Sequence, residues 1–102
     1  MSGDYASGMW FVKPGNEEAF VERWRAWLTS SSAGVEGFGG AHLLRSIEHP
    51  NRFVSYSEWS DAGARDTWKQ QPAFLDGFAE CRAFCDSFEG GDFTEVVHID
   101  QP

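Results

Sequence analysis

The apolar positions of this chain change period several times, and each change marks an element boundary. From Tyr5 to Val12 they alternate, with Gly8, Trp10 and Val12 on one side and Met9 and Phe11 on the other, as in a strand. Pro14–Gly15 ends that pattern. Asn16 is expected to cap a helix, with Glu17 and Glu18 at the positive end of its dipole. Phe20, Trp24, Trp27 and Leu28 then recur at helical spacing, and the helix is expected to fade in Ser30–Ser32 and stop by Gly34. A glycine-rich approach at Gly37 leads into a second strand reaching Ile47. His49, Pro50 and Asn51 make the turn, and a third strand starts near Arg52. On it Phe53, Ser55, Ser57 and Trp59 share one face, and Val54, Tyr56 and Glu58 the other. Ser60 is expected to cap a short helix carrying Ala64 and Trp68. Pro72 ends that helix and suits the first turn of the next. There Phe74, Phe78, Cys81, Cys85 and Phe88 predict one buried helical stripe that runs to a break at Gly90–Gly91. Gly77 lies inside this helix at a cost of about 1 kcal/mol relative to Ala, which points to a close approach by something else. Phe93 to Ile99 alternates as a last strand, and Met1 to Asp4 and Gln101–Pro102 read as loose ends.

The resulting order, β-α-β-β-α-α-β, predicts an α+β fold: a ferredoxin-like split βαβ with a four-stranded antiparallel sheet. Right-handed crossovers place the helices on one face. A single domain over residues 1–102 is expected, with its core between about 5 and 100. The other face of the sheet, with Met9, Phe11, Val54 and Tyr56, is too apolar for a monomer to leave bare, which predicts a homodimer.

Charge narrows the partners. Sixteen acidic residues against eight basic ones give a net charge of -8, and the cations are not clustered. Such a surface repels phosphate backbones and anionic lipids, so neither nucleic acid nor membrane is an expected partner. With no apolar run near the length of a membrane span and no basic-then-apolar leader, the expectation is a soluble, cytoplasmic protein. Cys81 and Cys85 read as reduced core residues. No His, Cys, Asp or Glu spacing suggests a metal site, and Gly37, Gly39 and Gly40 are not followed by a phosphate-loop motif.

Several segments together resemble one family. They are KPGNEEAFVERWRAWL at 13–28, the Gly37–Phe38 entry to strand two, LLRSIEHPNRFVSYSEW at 43–59 and WKQQPAF at 68–74. Their combined spacing is similar to that of the antibiotic biosynthesis monooxygenase (ABM) domain. The resemblance implies a dimeric α/β barrel, in which two ferredoxin-like sheets face each other, with a pocket in each subunit between sheet and helices. It also implies a range of activities. Some relatives oxygenate polycyclic phenols to quinones without metal or flavin, others degrade haem, and fold alone does not choose between them. Haem-degrading relatives carry an Asn on the first strand, a Trp in the second helix and an axial His in the third. Those positions fall here on Gly8, Trp68 and Phe78. Phe78 cannot ligate iron, so haem degradation is disfavoured and no cofactor is expected. The quinone-forming relatives place Asn and Trp four apart on the third strand, here Ser55 and Trp59, and a helical Tyr at what becomes Arg65.

The resemblance therefore implies a cofactor-independent monooxygenase using O2 on a small aromatic or phenolic molecule. Ser55, Trp59 and Arg65 are the catalytic candidates, and Gly8, Trp10, Trp68, Phe74 and Phe78 would line the substrate site. The alternatives are a non-catalytic dimer that binds a hydrophobic ligand, or a haem-degrading or isomerase-type enzyme on the same barrel. Every aromatic in this set also reads as ordinary core. Ser55 is the informative residue: a serine among apolar strand positions needs a hydrogen-bond partner, which is a ligand or water on one reading and the backbone on the other.

Overall fold

The structure, a computed structural model, describes residues 3–102. Seven elements follow in the order β1 (Asp4–Val12), α1 (Glu17–Ser32), β2 (Phe38–Arg45), β3 (Arg52–Trp59), α2 (Ala62–Lys69), α3 (Pro72–Arg82) and β4 (Cys85–Thr94). The strands form one antiparallel sheet in the order β2-β3-β1-β4, the ferredoxin-like arrangement. The alternation read from the sequence of β1 and β3 is the observed one. Ala6, Gly8, Trp10 and Val12 of β1, and Phe53, Ser55, Ser57 and Trp59 of β3, are buried beneath the helices. Among the described residues no helix is long and apolar enough to cross a membrane.

Local chemistry sets most boundaries, though not always through the residue expected. Asn16 stands at the N-cap of α1, but its side chain makes no capping bond; instead Glu17 Oε1 accepts from the Gly15 amide at 2.9 Å. α1 continues through Ser32 and is released at Gly34, whose φ of +70° favours glycine. The cap of α2 is Asp61, not Ser60: its Oδ1 accepts from the Ala64 amide at 2.8 Å, while the Ser60 amide is occupied by Gly37 O. Pro72 opens α3 at its first turn, as expected. At the start of the chain Met1 and Ser2 lie outside the described residues, whereas Asp4 is already in the sheet, paired with Trp59 and Thr94.

The largest departure is at the C-terminal end. The stripe from Phe74 to Phe88 is not one helix. α3 stops at Arg82, and Cys85 and Phe88 belong to β4, which contains Gly90 and Gly91 rather than being preceded by them. The free edge of β1 wins over the helical spacing. Lys13 N donates to Phe84 O at 2.9 Å, and from there the chain runs antiparallel to β1 as far as Thr94. The expected strand from Phe93 to Ile99 is accordingly only the end of β4. Val96, Val97 and Ile99 are exposed and outside regular structure, and His98 lies in that tail, not on a strand.

α1 and α3 pack against each other above the sheet, and the contact turns on one glycine. A methyl group on Gly77 would stand 2.1 Å from Cδ1 of Trp27. The indole cannot yield easily, because Trp10, Trp68, Phe74 and Phe78 all touch it at centroid distances of 5.3–6.3 Å. Gly77→Ala is therefore expected to destabilise the fold. Overpacking costs roughly 1–3 kcal/mol, and the helix-propensity gain of about 1 kcal/mol offsets only part of it. Urea denaturation checks this; a raised midpoint would mean that α3 can lift off Trp27 without loss.

Candidate functional site

β1 and β3 occupy the centre of the sheet, and the buried face of β3 carries two polar side chains of the core. Parity puts Ser55 and Ser57 on that face between Phe53 and Trp59. Trp10 of β1 reaches across and donates its indole N–H to Ser55 Oγ at 2.9 Å. The buried serine is thus satisfied by a neighbouring side chain, an option beyond the backbone, ligand or water read from the sequence. The same device recurs twice: Trp59 donates to Ser57 Oγ at 2.9 Å, and Trp68 of α2 to Ser31 Oγ of α1 at 3.2 Å.

Beside the Trp10–Ser55 pair lies a cavity of about 420 Å³ between the sheet and all three helices. This is within the ~300–1,000 Å³ range of small-molecule sites. Gly8, Trp10, Ser55, Trp68, Phe74 and Phe78 all line it. Its aromatic walls are continuous: Trp68 meets Phe74 edge-on at 4.5 Å, Phe74 and Phe78 lie parallel at 6.1 Å, and Phe78 meets Phe88 edge-on at 5.0 Å. The Ser55 oxygen already accepts from Trp10, and the hydroxyl keeps its own proton as a donor at the cavity wall.

Two of the proposed catalytic residues stand outside the wall. Trp59 is fully buried behind it, with its ring against Phe38 and Trp68. Arg65 is held among carboxylates, 3.1 Å from Asp66, 3.8 Å from Asp92 and 3.9 Å from Asp4, and its guanidinium charge is committed there. Asp92 also pairs with Lys69, and this pair lines the solvent edge of the cavity. The cluster joins β1, α2 and β4.

Sequence reasoning missed Lys69, Asp92, Trp27 and Phe88 as wall residues. Trp27 was placed correctly on the buried face of α1, and its neighbours could be known only after the helices docked. Phe88 falls in the helix that the spacing predicts, and Asp92 between that helix and the predicted last strand, whereas both belong to β4.

No histidine or cysteine that could ligate haem iron lines this cavity. Phe78 contributes a ring to the wall, and the three histidines all lie elsewhere: His42 is on β2, His49 in the following turn and His98 in the tail. Cys81, one turn beyond Phe78, is fully buried outside the wall, and burial pushes its thiol up to about 12, so no thiolate is available at neutral pH. Among the described residues no group of three His, Cys, Asp or Glu could hold a metal ion. Haem titration is expected to produce no sharp Soret shift; a tight one-to-one complex would point to a donor other than His or Cys.

Comparison with known proteins gives a consistent set of likenesses. The profile of the family described as antibiotic biosynthesis monooxygenase matches residues 5–80. A mutant of SnoaB, a cofactor-independent oxygenase from Streptomyces nogalater, superposes with a TM-score of 0.88 at 24% identity, covering 99% of this chain and 100% of that one. A conserved protein from Methanosarcina mazei Go1 gives 0.84 at 18% identity, covering 94% and 95%. A protein from Shewanella oneidensis gives 0.82 at 17% identity, covering 95% and 94%. Among curated proteins nothing matches. At these identities the structural likeness is one of fold.

Proposed function

This chain belongs to the antibiotic biosynthesis monooxygenase family, and we propose that it is a cofactor-independent monooxygenase of a small, flat phenol, working as a homodimer of a single 102-residue domain. The observation that carries the reading is the cavity itself: aromatic on its walls, with the Ser55 oxygen anchored by the Trp10 indole. Such a surface suits a planar ring system with one oxygen to be recognised.

The chemistry asks little of the protein beyond this. Ionisation of the phenol spreads negative charge onto the ring carbon para to the oxygen. The Ser55 hydroxyl donates to the phenolate oxygen and stabilises the anion as it forms. The phenolic proton leaves toward the solvent edge, where Lys69 and Asp92 stand. The electron-rich carbon reduces O2, and the two join as a carbon-bound peroxide. Loss of water leaves a carbonyl. One oxygen atom enters the product, the other leaves as water with the two hydrogens given up by the substrate, and no outside reductant is needed. Dry aromatic walls protect the anion from reprotonation before O2 arrives. Trp59 and Arg65 act from behind, Trp59 through its packing on Trp68 and Arg65 by holding Asp92.

The test is oxygen uptake with a panel of naphthols and three-ring phenols in the presence of chelator, with quinone formation followed in the same samples. Retention of a phenol without oxygen uptake would leave only a binding module. Ser55→Ala is expected to lower turnover at least tenfold. It is also expected to cost roughly 1–3 kcal/mol of stability, because the buried indole N–H of Trp10 loses its acceptor.

The dimer rests on the open face of the sheet. Tyr5, Met9, Phe11, Val54 and Tyr56 point away from the helices, and Leu44 and Phe93 beside them are 54% and 58% exposed. Light scattering is expected to give about twice the 11.4 kDa chain mass; a strict monomer at micromolar concentration would remove the homodimer from this reading.

A further inference from the structure

Gly8 of β1 and Gly90 of β4 are direct cross-strand partners. Neither has a positive φ, so the backbone does not require glycine at either position. The reason lies above them. A methyl group on Gly8 would stand 2.6 Å from Cε1 of Phe88, and one on Gly90 would stand 2.9 Å from Cε2 and 3.0 Å from Cζ of the same ring. The ring of Phe88 therefore lies across the glycine pair, in the space that two side chains would fill. It is half-buried, its centroid is 4.3 Å from Trp10, and it forms part of the cavity wall. The atoms that would collide are at the far end of a side chain. Filling the slot would lift the ring toward the cavity without first moving the backbone.

We infer that Phe88 and its Gly8–Gly90 slot are the specificity-determining element of this site, setting how large a fused-ring phenol the cavity admits. This rests on the reading of the cavity as an aromatic ligand site. With Phe88 lying down, the floor is low. Truncating the ring deepens the cavity, and filling the slot makes it shallower, so the two changes should shift ligand preference in opposite directions. Gly90 is the cleaner probe of the pair. A methyl group on Gly8 would also approach Trp10 Nε1, at 3.2 Å, and so disturb the bond to Ser55, whereas at Gly90 the next nearest atom after the ring is Ser7 O at 3.8 Å.

The experiment has two parts. The first needs no ligand and measures urea midpoints for the wild type, Gly90→Ala, Phe88→Ala and the double variant. Gly90→Ala should lower the midpoint when Phe88 is present, and should leave it unchanged or raise it when Phe88 is Ala, since alanine restricts the unfolded chain. Additive effects would place the ring outside the slot and overturn the inference. The second part measures dissociation constants for 1-naphthol, with two fused rings, and 9-phenanthrol, with three, by tryptophan quenching under argon. Relative to wild type, Phe88→Ala should shift the preference at least fivefold toward 9-phenanthrol, and Gly90→Ala at least fivefold toward 1-naphthol. Binding of both probes with an unchanged ratio overturns the inference and leaves the proposed function standing. Binding of neither probe to any of the four proteins overturns both, and marks the failure of the functional reading itself.

Discussion

Burying an indole costs least when its N–H finds an acceptor, and this small fold has five tryptophans to accommodate, of which Trp24 and Trp27 bury theirs without a protein partner. Three of them are satisfied by serine: Trp10 by Ser55, Trp59 by Ser57 and Trp68 by Ser31. Each bond ties one element to another or stiffens one, and each keeps the cost of burying a polar atom small. It also leaves something over. A serine hydroxyl that accepts from an indole still owns a proton, so a core built this way carries hydroxyl donors among otherwise apolar walls. At Ser55 that donor stands beside empty space. The one feature of the cavity that suits chemistry is in this sense a consequence of packing tryptophan.

The empty space depends on side chains that are missing. Gly77 lets α3 settle onto Trp27, and the glycine pair at 8 and 90 lets Phe88 lie flat. A larger residue at any of these positions would move an aromatic ring that is itself in contact with others. Trp27, Trp68, Phe74, Phe78, Phe88 and Trp10 form a chain of ring contacts around the cavity, with centroid separations of 4.3–6.3 Å between neighbours. Close-packed rings transmit displacement rather than absorb it, so the shape of the cavity is a property of the set rather than of any member.

Charge is arranged around this interior without entering it. The surface is strongly acidic, yet near the cavity's solvent edge Arg65 and Lys69 meet Asp4, Asp66 and Asp92. These pairs are partly exposed, and each contributes little to stability alone. Their use is geometric, because they join the first strand, the short second helix and the last strand around one opening. Arg65 looks from the sequence like a free cation on a helix; in the fold its charge is already answered.

The periods of the sequence were enough for the parts whose burial is local. Alternation in Tyr5 to Val12 and in Phe53 to Trp59 determined which residues of β1 and β3 face the helices, and so placed Trp10 and Ser55 on the same side of one sheet. Helical spacing determined the buried face of α1, Pro72 the start of α3, and Gly77 its close contact. Antiparallel order and one-sided helices then followed from connection rules. Tertiary structure decided the rest. Phe74 to Phe88 has a helical period to its end, but backbone hydrogen bonds along the open edge of β1 outweighed that period after Arg82 and made Cys85 to Thr94 a strand. That choice moved Phe88, Gly90 and Asp92 into the wall. Period reports only how one segment repeats; which indole meets which hydroxyl, and which ring rests on which glycine, depends on partners far apart in the chain, and those pairings exist only once the helices have docked on the sheet.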